Sequence, residues 1–375
     1  MAESKNKEAG RTFEMSFAAI DPYYETNIIE PTEKEIRGKD FISWGDSNDY
    51  PDYLFGLYKD VTTLRTICNG IADYVVGEGV ESPYMSNREA EELTHKLALD
   101  IAIYGGFALE IHRGLDAKIK KVKYLDIRNV RSDKDNTKYF YSEDWGHTFG
   151  RVKFLEYSAF DKDTPYRTLD DGTRKVIGTS IYVFKTSHNQ VYPSPMYAGN
   201  GCWAAEIEKA VVQYHLNSIN NGFAGSYIIN MNNGKPEDKQ KEEIEENFRE
   251  KYTGFRNAAR PVLCWNKDKD HQTEIVKIES DDFGDRYQAL QKSSKQEIYS
   301  AFRAHPVIFG LPTEGTGFND QDFQEAFKLF NKTLIQPIQK RIANALDEIW
   351  GATDTITIKP FSIDWSEDAK TQEVN

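Results

Sequence analysis

Cysteine is scarce in this chain: Cys68, Cys202 and Cys264 are far apart and odd in number. That excludes a disulfide framework and a paired-cysteine zinc site, and it fits a reducing compartment. No apolar run approaches the ~20 residues needed to span a bilayer, so no membrane contact is expected. The opening MAESKNKEAGRTFE is polar and lacks an apolar core, so no secretory signal is expected there. Positive charge is in deficit: 47 Lys and Arg face 60 Asp and Glu, for a formal net charge of −13. A free-standing DNA-binding domain is usually basic, because phosphate neutralisation supplies much of its affinity. Tight nucleic-acid binding is therefore disfavoured. Contact with a sliding polyanion is not, because an acidic surface keeps phosphates from sticking.

Catalytic and metal patterns are missing as well. His95, His112, His147, His188, His215, His271 and His305 show no paired ligand spacing; His112 on a strand and His215 on a helix read as packing residues. No Ser/His/Asp or Cys/His arrangement is legible. Gly315-Thr-Gly317 lacks the Gly-x-x-x-x-Gly-Lys-Ser/Thr spacing of a phosphate loop, and no strand precedes it. Asp46, Asp49 and Asp52 surround Tyr50-Pro51 without the spacing or terminal Glu of an EF-hand, so they read as caps and turns. Neither catalytic residues, nor a metal, nor a cofactor is expected.

What is present is length and aromatic side chains. A chain of 375 residues is too long for one ordinary core, so two or more folding units are expected. Aromatics make up 13% of it, a level that favours packed cores and interfaces. The central stretch runs from Ser280 to Trp350. A mixed helix over Asp281–His305 carries Phe283, Tyr287, Leu290, Ile298 and Phe302, and Pro306 ends it. A Gly/Pro-rich break follows, Val307–Phe318. Phe323, Phe327, Phe330, Leu334, Ile338, Ile342, Leu346 and Ile349 then recur at threes and fours, the apolar stripe of a long helix that Pro337 kinks.

Residues 1–40 read as an extended arm. Phe41–Leu54 reads as a turn-dense loop anchored by Trp44 and Tyr50. Helices are predicted over Asp60–Val76 and Asn87–Ile103, and Tyr104-Gly-Gly106 breaks the second. The period then switches to two. Phe107–His112 and Ile119–Ile127 form a hairpin, with further strands near Tyr139–Tyr141, Arg151–Tyr157 and Ile181–Lys185. Gly201–Asn221 is helical with few charges, so both of its faces are candidates for burial. Ser226–Met231, Pro261–Trp265 and Glu274–Ile278 read as strands. Lys235–Tyr252 reads as a charged helix carrying five Lys or Arg against seven Asp or Glu. The C-terminus adds a strand over Thr355–Pro360.

Residues 226–279 are thus a small α/β module inserted between two helices. Those helices must lie roughly antiparallel, like a stalk with the module at its far end. Such a subunit buries too little surface alone, and a ring of copies would supply neighbours. Ile298→Asp or Phe302→Asp is accordingly expected to stop ring assembly, because each would bury an unpaired charge in the stalk.

The ordered segments resemble those of tailed-bacteriophage portal proteins, the head–tail connector family. Tyr104-Gly-Gly-Phe-Ala-Leu-Glu-Ile follows a helix, as the corresponding segment does in that family. Pro193–Gly225 is similar to its Ser-Pro segment and long helix. Tyr252-Thr-Gly-Phe-Arg-Asn-Ala-Ala-Arg-Pro-Val-Leu resembles a third block. The strongest is Glu297-Ile-Tyr-Ser-Ala-Phe-Arg-Ala-His-Pro-Val-Ile-Phe-Gly, although Ala304-His305 stands where the family commonly has Gly-Val. Thr333-Leu-Ile-Gln-Pro337 resembles its ending. The resemblance covers roughly residues 45–350 in the family's order.

The resemblance implies an α+β fold: an elongated portal-type subunit with a mixed β and helical wing, two stem helices, an inserted α/β clip and a C-terminal long helix. The parts would be an arm (1–40), wing (41–195), first stem helix (196–225), clip (226–279), second stem helix (280–305), tunnel loop (306–319), long wing or crown helix (320–351), and a terminal strand and tail (352–375). It implies a non-enzymatic, dodecameric ring at one capsid vertex of the virion, assembled in the host cytoplasm. Double-stranded DNA would pass through it during packaging and ejection. Terminase large subunit, a neck or adaptor protein, and major capsid or scaffolding protein would be its partners. Thr313, Glu314, Gly315, Thr316, Gly317, Phe318 and Asn319 would face DNA from the loop, and Lys292 and Lys295, three apart on one helix face, from the stem. Lys239, Glu243, Arg249, Lys267 and Lys269 would meet partners at the clip. The competing readings are a virion ring or adaptor without a DNA tunnel, and a two-domain α/β enzyme with a Gly-rich lid at Val307–Asn319. Native mass separates ring from enzyme.

Overall fold

The computed structural model describes residues 16–18, 29–36, 38–145, 153–187, 190–220, 228–231, 239–240, 243, 262–265, 283–310 and 320–363. The chain divides into two compact units. One is residues 1–26 with 209–290, the other residues 27–208 with 291–375.

The larger unit begins with β2 (Glu33–Glu35) and β3 (Ile42–Trp44), an antiparallel pair; β1 (Ser16–Ala18) lies in the smaller unit. The expected loop over Phe41–Leu54 is corrected here. Its second half is helical, as α1 (Tyr50–Asp60). Asp49, Pro51 and Asp52 read as turn formers, but the same residues suit a helix start. Proline has no N–H to lose in the first turn, and an acid there complements the helix dipole. Tyr50, Leu54 and Leu57 then fall on one buried face. Next come α2 (Thr62–Val76), β4 (Gly79–Glu81) and α3 (Asn87–Tyr104). Ser86 starts α3 with a capping box: its Oγ accepts from the Glu89 N–H, and its own N–H donates to the Glu89 carboxylate.

Then follow β5 (Gly106–Arg113), β6 (Ile119–Leu125), β7 (Val130–Ser132), β8 (Lys138–Tyr141), β9 (Leu155–Ala159), β10 (Tyr166–Thr168), β11 (Arg174–Val176) and β12 (Thr179–Lys185). Six of them form one sheet in the order β6-β5-β12-β9-β8-β7, in which only β9 and β12 run parallel. The β10–β11 hairpin projects from the crossover between those two. Tyr104-Gly-Gly106 is explained by a close approach. A Cβ on Gly105 would stand 2.0 Å from the Ser194 carbonyl oxygen, and Gly105 holds φ +79. A Cβ on Gly106 would stand 2.3 Å from the Phe184 carbonyl. The Ser-Pro segment thus lies directly on the glycine pair.

The long helices follow: α4 (Asn200–Asn220), α5 (Phe283–Ala301), α6 (Asp320–Phe330) and α7 (Gln336–Trp350), with β15 (Thr357–Lys359) pairing antiparallel to β4. A π turn, Asn331–Ile335, joins α6 to α7. Pro337 offers no N–H, and its ring crowds the carbonyl four residues back. The ladder widens just before it: the Gln336 N–H donates to Asn331 O. One continuous core gathers α1–α3, the sheet, the start of α4, the end of α5 and both last helices.

In the smaller unit, β13 (Ile228–Met231) pairs parallel to β14 (Val262–Trp265), and β1 pairs antiparallel on the other side. Parallel strands need a long crossover, usually helical. Lys239, Gln240 and Glu243 within it are helical. Three residues of the N-terminal arm thus belong to this sheet, so the arm is not simply an appendage. The expected strand over Glu274–Ile278 lies outside the described residues.

Candidate functional site

Three surfaces carry the sequence expectations: the two long helices, the Gly/Pro break and the inserted module. Within the larger unit, the first turn of α4 lies on the end of α5. A Cβ on Gly201 would stand 3.5 Å from the Ala301 Cβ, and Tyr197 stacks on Phe302 with centroids 5.4 Å apart. One face of α4 buries Cys202, Ala204, Ala205 and Glu208. The other leaves Trp203 52% and Ile207 41% exposed, one turn apart. An amphipathic helix with tryptophan and isoleucine on its open side is unusual for a surface facing only water.

At the end of α5, Ile298 and Phe302 are fully buried in the subunit's own core. Their burial needs no neighbouring copy. Lys292 is exposed and Lys295 half-buried on the same helix.

Glu208 is a buried acid between helices. Thr63 donates to its Oε1 at 2.9 Å, and Oε2 has no partner among the described residues. Burial, and then the charge of Glu208, raise the Tyr299 hydroxyl pKa. Cys202 is pushed up to about 12, mainly by burial, and burial alone raises Cys68 further. Both thiols therefore stay protonated near neutrality and are poor nucleophiles.

The base of the break is firmly held. His305 accepts at Nδ1 from the Val307 N–H, at 3.3 Å, and so caps the short 3-10 turn Pro306–Phe309. Val307 and Ile308 are buried. Phe309 meets Tyr299 and Phe330, and a Cβ on Gly70 would stand 2.5 Å from the Phe309 ring. On the far side, Phe327 and Phe330 pack on Tyr74. Arg303, just before the break, takes φ 53, a left-handed conformation that favours glycine. Thr313, Glu314, Gly315, Thr316, Gly317, Phe318 and Asn319 lie outside the described residues. So do Arg249, Lys267 and Lys269 of the module, whereas Lys239 and Glu243 are exposed.

Asp46 and Asp52 of the Tyr50-Pro51 region take separate partners. Asp46 accepts from Thr32 Oγ1 at 2.7 Å and pairs with Lys34. Asp52 lies 3.9 Å from Arg128. His112 sits beside Glu110 and Thr179 on the sheet, and His215 stands edge-on to Tyr287. Among the described residues no group of three or more His, Cys, Asp or Glu is placed to hold a metal, and no helix is long and apolar enough to cross a membrane.

The family of phage portal proteins matches residues 82–360. The chain belongs to that family. A chain from the virion of a native gene transfer agent particle is similar at 16% identity and a TM-score of 0.50, covering 85% of this chain and 87% of its own. A chain from the neck of the empty particle, solved with C6 symmetry, has 15% identity and a TM-score of 0.49, covering 86% of each. One from the native neck, with C12 symmetry, has 15% identity and a TM-score of 0.47, covering 86% of this chain and 88% of its own. No curated protein matches. The fold class is thus α+β of the portal kind.

Proposed function

We propose that this protein forms the portal ring at one capsid vertex of a virion, a structural channel rather than an enzyme. Family membership across residues 82–360 carries this reading. Copies meet through the open side of α4, where Trp203 and Ile207 find neighbours. Genomic DNA passes through the bore during packaging and ejection. Residues 226–279 act as the clip that receives terminase and neck proteins, with Lys239 and Glu243 on its accessible surface.

The chemistry required of such a channel is weak contact. A net charge of −13 keeps the duplex from adhering. Residues 306–319 act as the tunnel loop and touch DNA; Phe309 near its start and Phe327 and Phe330 beyond its end are packed in the subunit. Deleting Gly315–Gly317 should slow or stop the filling of heads while rings still assemble. Heads that fill at the normal rate after that deletion would rule out the tunnel role.

A further inference from the structure

The last two helices carry a row of cations with no acid among them. From Ala326 through Leu346 there are four cations, Lys328, Lys332, Lys340 and Arg341, and no acid, in a chain with 60 acidic residues. All four side chains are exposed. None has an ion pair or hydrogen bond among the described residues. Other exposed cations pair with acids, such as Arg88 with Glu92, Lys120 with Asp116 and Lys138 with Glu156, whereas Lys118, Lys121 and Lys123, in or next to β6, are exposed without such a pair among the described residues. Lys328 and Lys332 stand four apart, where like charges repel on a helix.

Helix geometry keeps this row together. Lys328, Lys332, Gln336 and Lys340 recur every four residues. On an uninterrupted α-helix, twelve residues overshoot three turns by about a third of a turn. The π turn Asn331–Ile335 winds more residues per turn and takes back part of that drift. Leu329, 65% exposed, and Thr333 lie beside the row, so the surface is basic with little competing polarity.

We propose that this row is a phosphate-contacting surface for double-stranded DNA, distinct from Lys292 and Lys295 on α5. The proposal rests on the portal reading and adds to it where the polyanion is touched. Unpaired cations make short-lived contacts with successive phosphates, and such contacts weaken with salt. Charge complementarity selects the occupant, since four unpaired cations without an acid match a regularly spaced polyanion.

The test uses the assembled full-length protein and a labelled linear duplex, titrated across a range of salt. K328Q/K332Q/K340Q/R341Q is compared with K118Q/K120Q/K121Q/K123Q, which removes the same charge from strand β6. The helix variant should bind the duplex at least about tenfold more weakly and with a shallower salt slope, while the strand variant stays close to the parent. Equal losses in both, or an unchanged helix variant alongside a parent that binds, would overturn this surface and leave the portal reading standing. An altered native mass with unchanged duplex affinity would assign the row to a second copy and also overturn it. A parent that binds no duplex even at low salt would overturn the row as a phosphate-contacting surface and leave the portal reading standing.

Discussion

Replacing Trp203 and Ile207 together by serine separates assembly from folding. Both lie on the open side of α4, with Trp203 52% and Ile207 41% exposed in the single subunit. A buried aromatic side chain covers ~150–250 Å², so the exposed half of Trp203 offers on the order of 100 Å² to a neighbour. At ~25 cal/mol per Å² that contributes about 2.5 kcal/mol, and the exposed part of Ile207 adds about 1 kcal/mol. Losing roughly 3.5 kcal/mol weakens each subunit contact about 370-fold. A closed ring repeats that contact at every junction, so rings should give way to subunits at micromolar concentration. The subunit itself should be nearly unaffected, within about 0.5 kcal/mol, because neither side chain fills its core. Sedimentation velocity reads the first effect and denaturant unfolding of the subunit reads the second. Intact rings from the double variant would refute the assignment of this face, and so would a subunit that unfolds easily.

The contrasting substitution is Ile298→Asp, which places an unpaired charge in the subunit core. It should cost several kcal/mol and leave little soluble subunit of any mass, and well-folded monomers would count against the packing of α5. Arg303→Gly should stabilise the subunit by about 0.5–1 kcal/mol, seen as a higher denaturant midpoint, because glycine adopts φ 53 without crowding. Asp100 is buried, with only Tyr124 among the described residues donating to it, at 3.2 Å, and burial raises its pKa well above the ordinary value of 3.8. The folded state therefore keeps a proton that the unfolded chain releases, and stability falls as pH rises from 3.8 towards the raised value. Asp100→Asn removes that slope, so its advantage over the parent should be absent below the ordinary value and should grow towards neutral pH. An advantage that shrinks with rising pH would contradict this.

Local patterns made much of the fold legible. The capping box at Ser86, the alternation of Phe107–His112 and the threes and fours after Asp320 each fix one element through neighbours in sequence. Helix α1 was not legible, because Asp49, Pro51 and Asp52 serve a turn and a helix start equally well. Strand β1 was not legible either: its three residues gain their role only by pairing with Val262–Trp265, more than two hundred residues away. The setting of Ile298 and Phe302 depends on tertiary packing. An apolar stripe shows that a helix face is covered, not whether its own chain or another copy covers it. The open side of α4 hid for the same reason, since Trp203 and Ile207 look like core residues in sequence. The row Lys328–Arg341 did not stand out in sequence, where residues 172–205 form a longer run without acids; its exposure came only with the fold.

The native mass of the purified full-length protein, read together with electron micrographs, tests the central claim most directly. The account predicts a closed ring of about twelve 43.1 kDa chains around an open bore wide enough for a duplex. A stable monomer or dimer with no bore, at concentrations where it is fully folded, would contradict it.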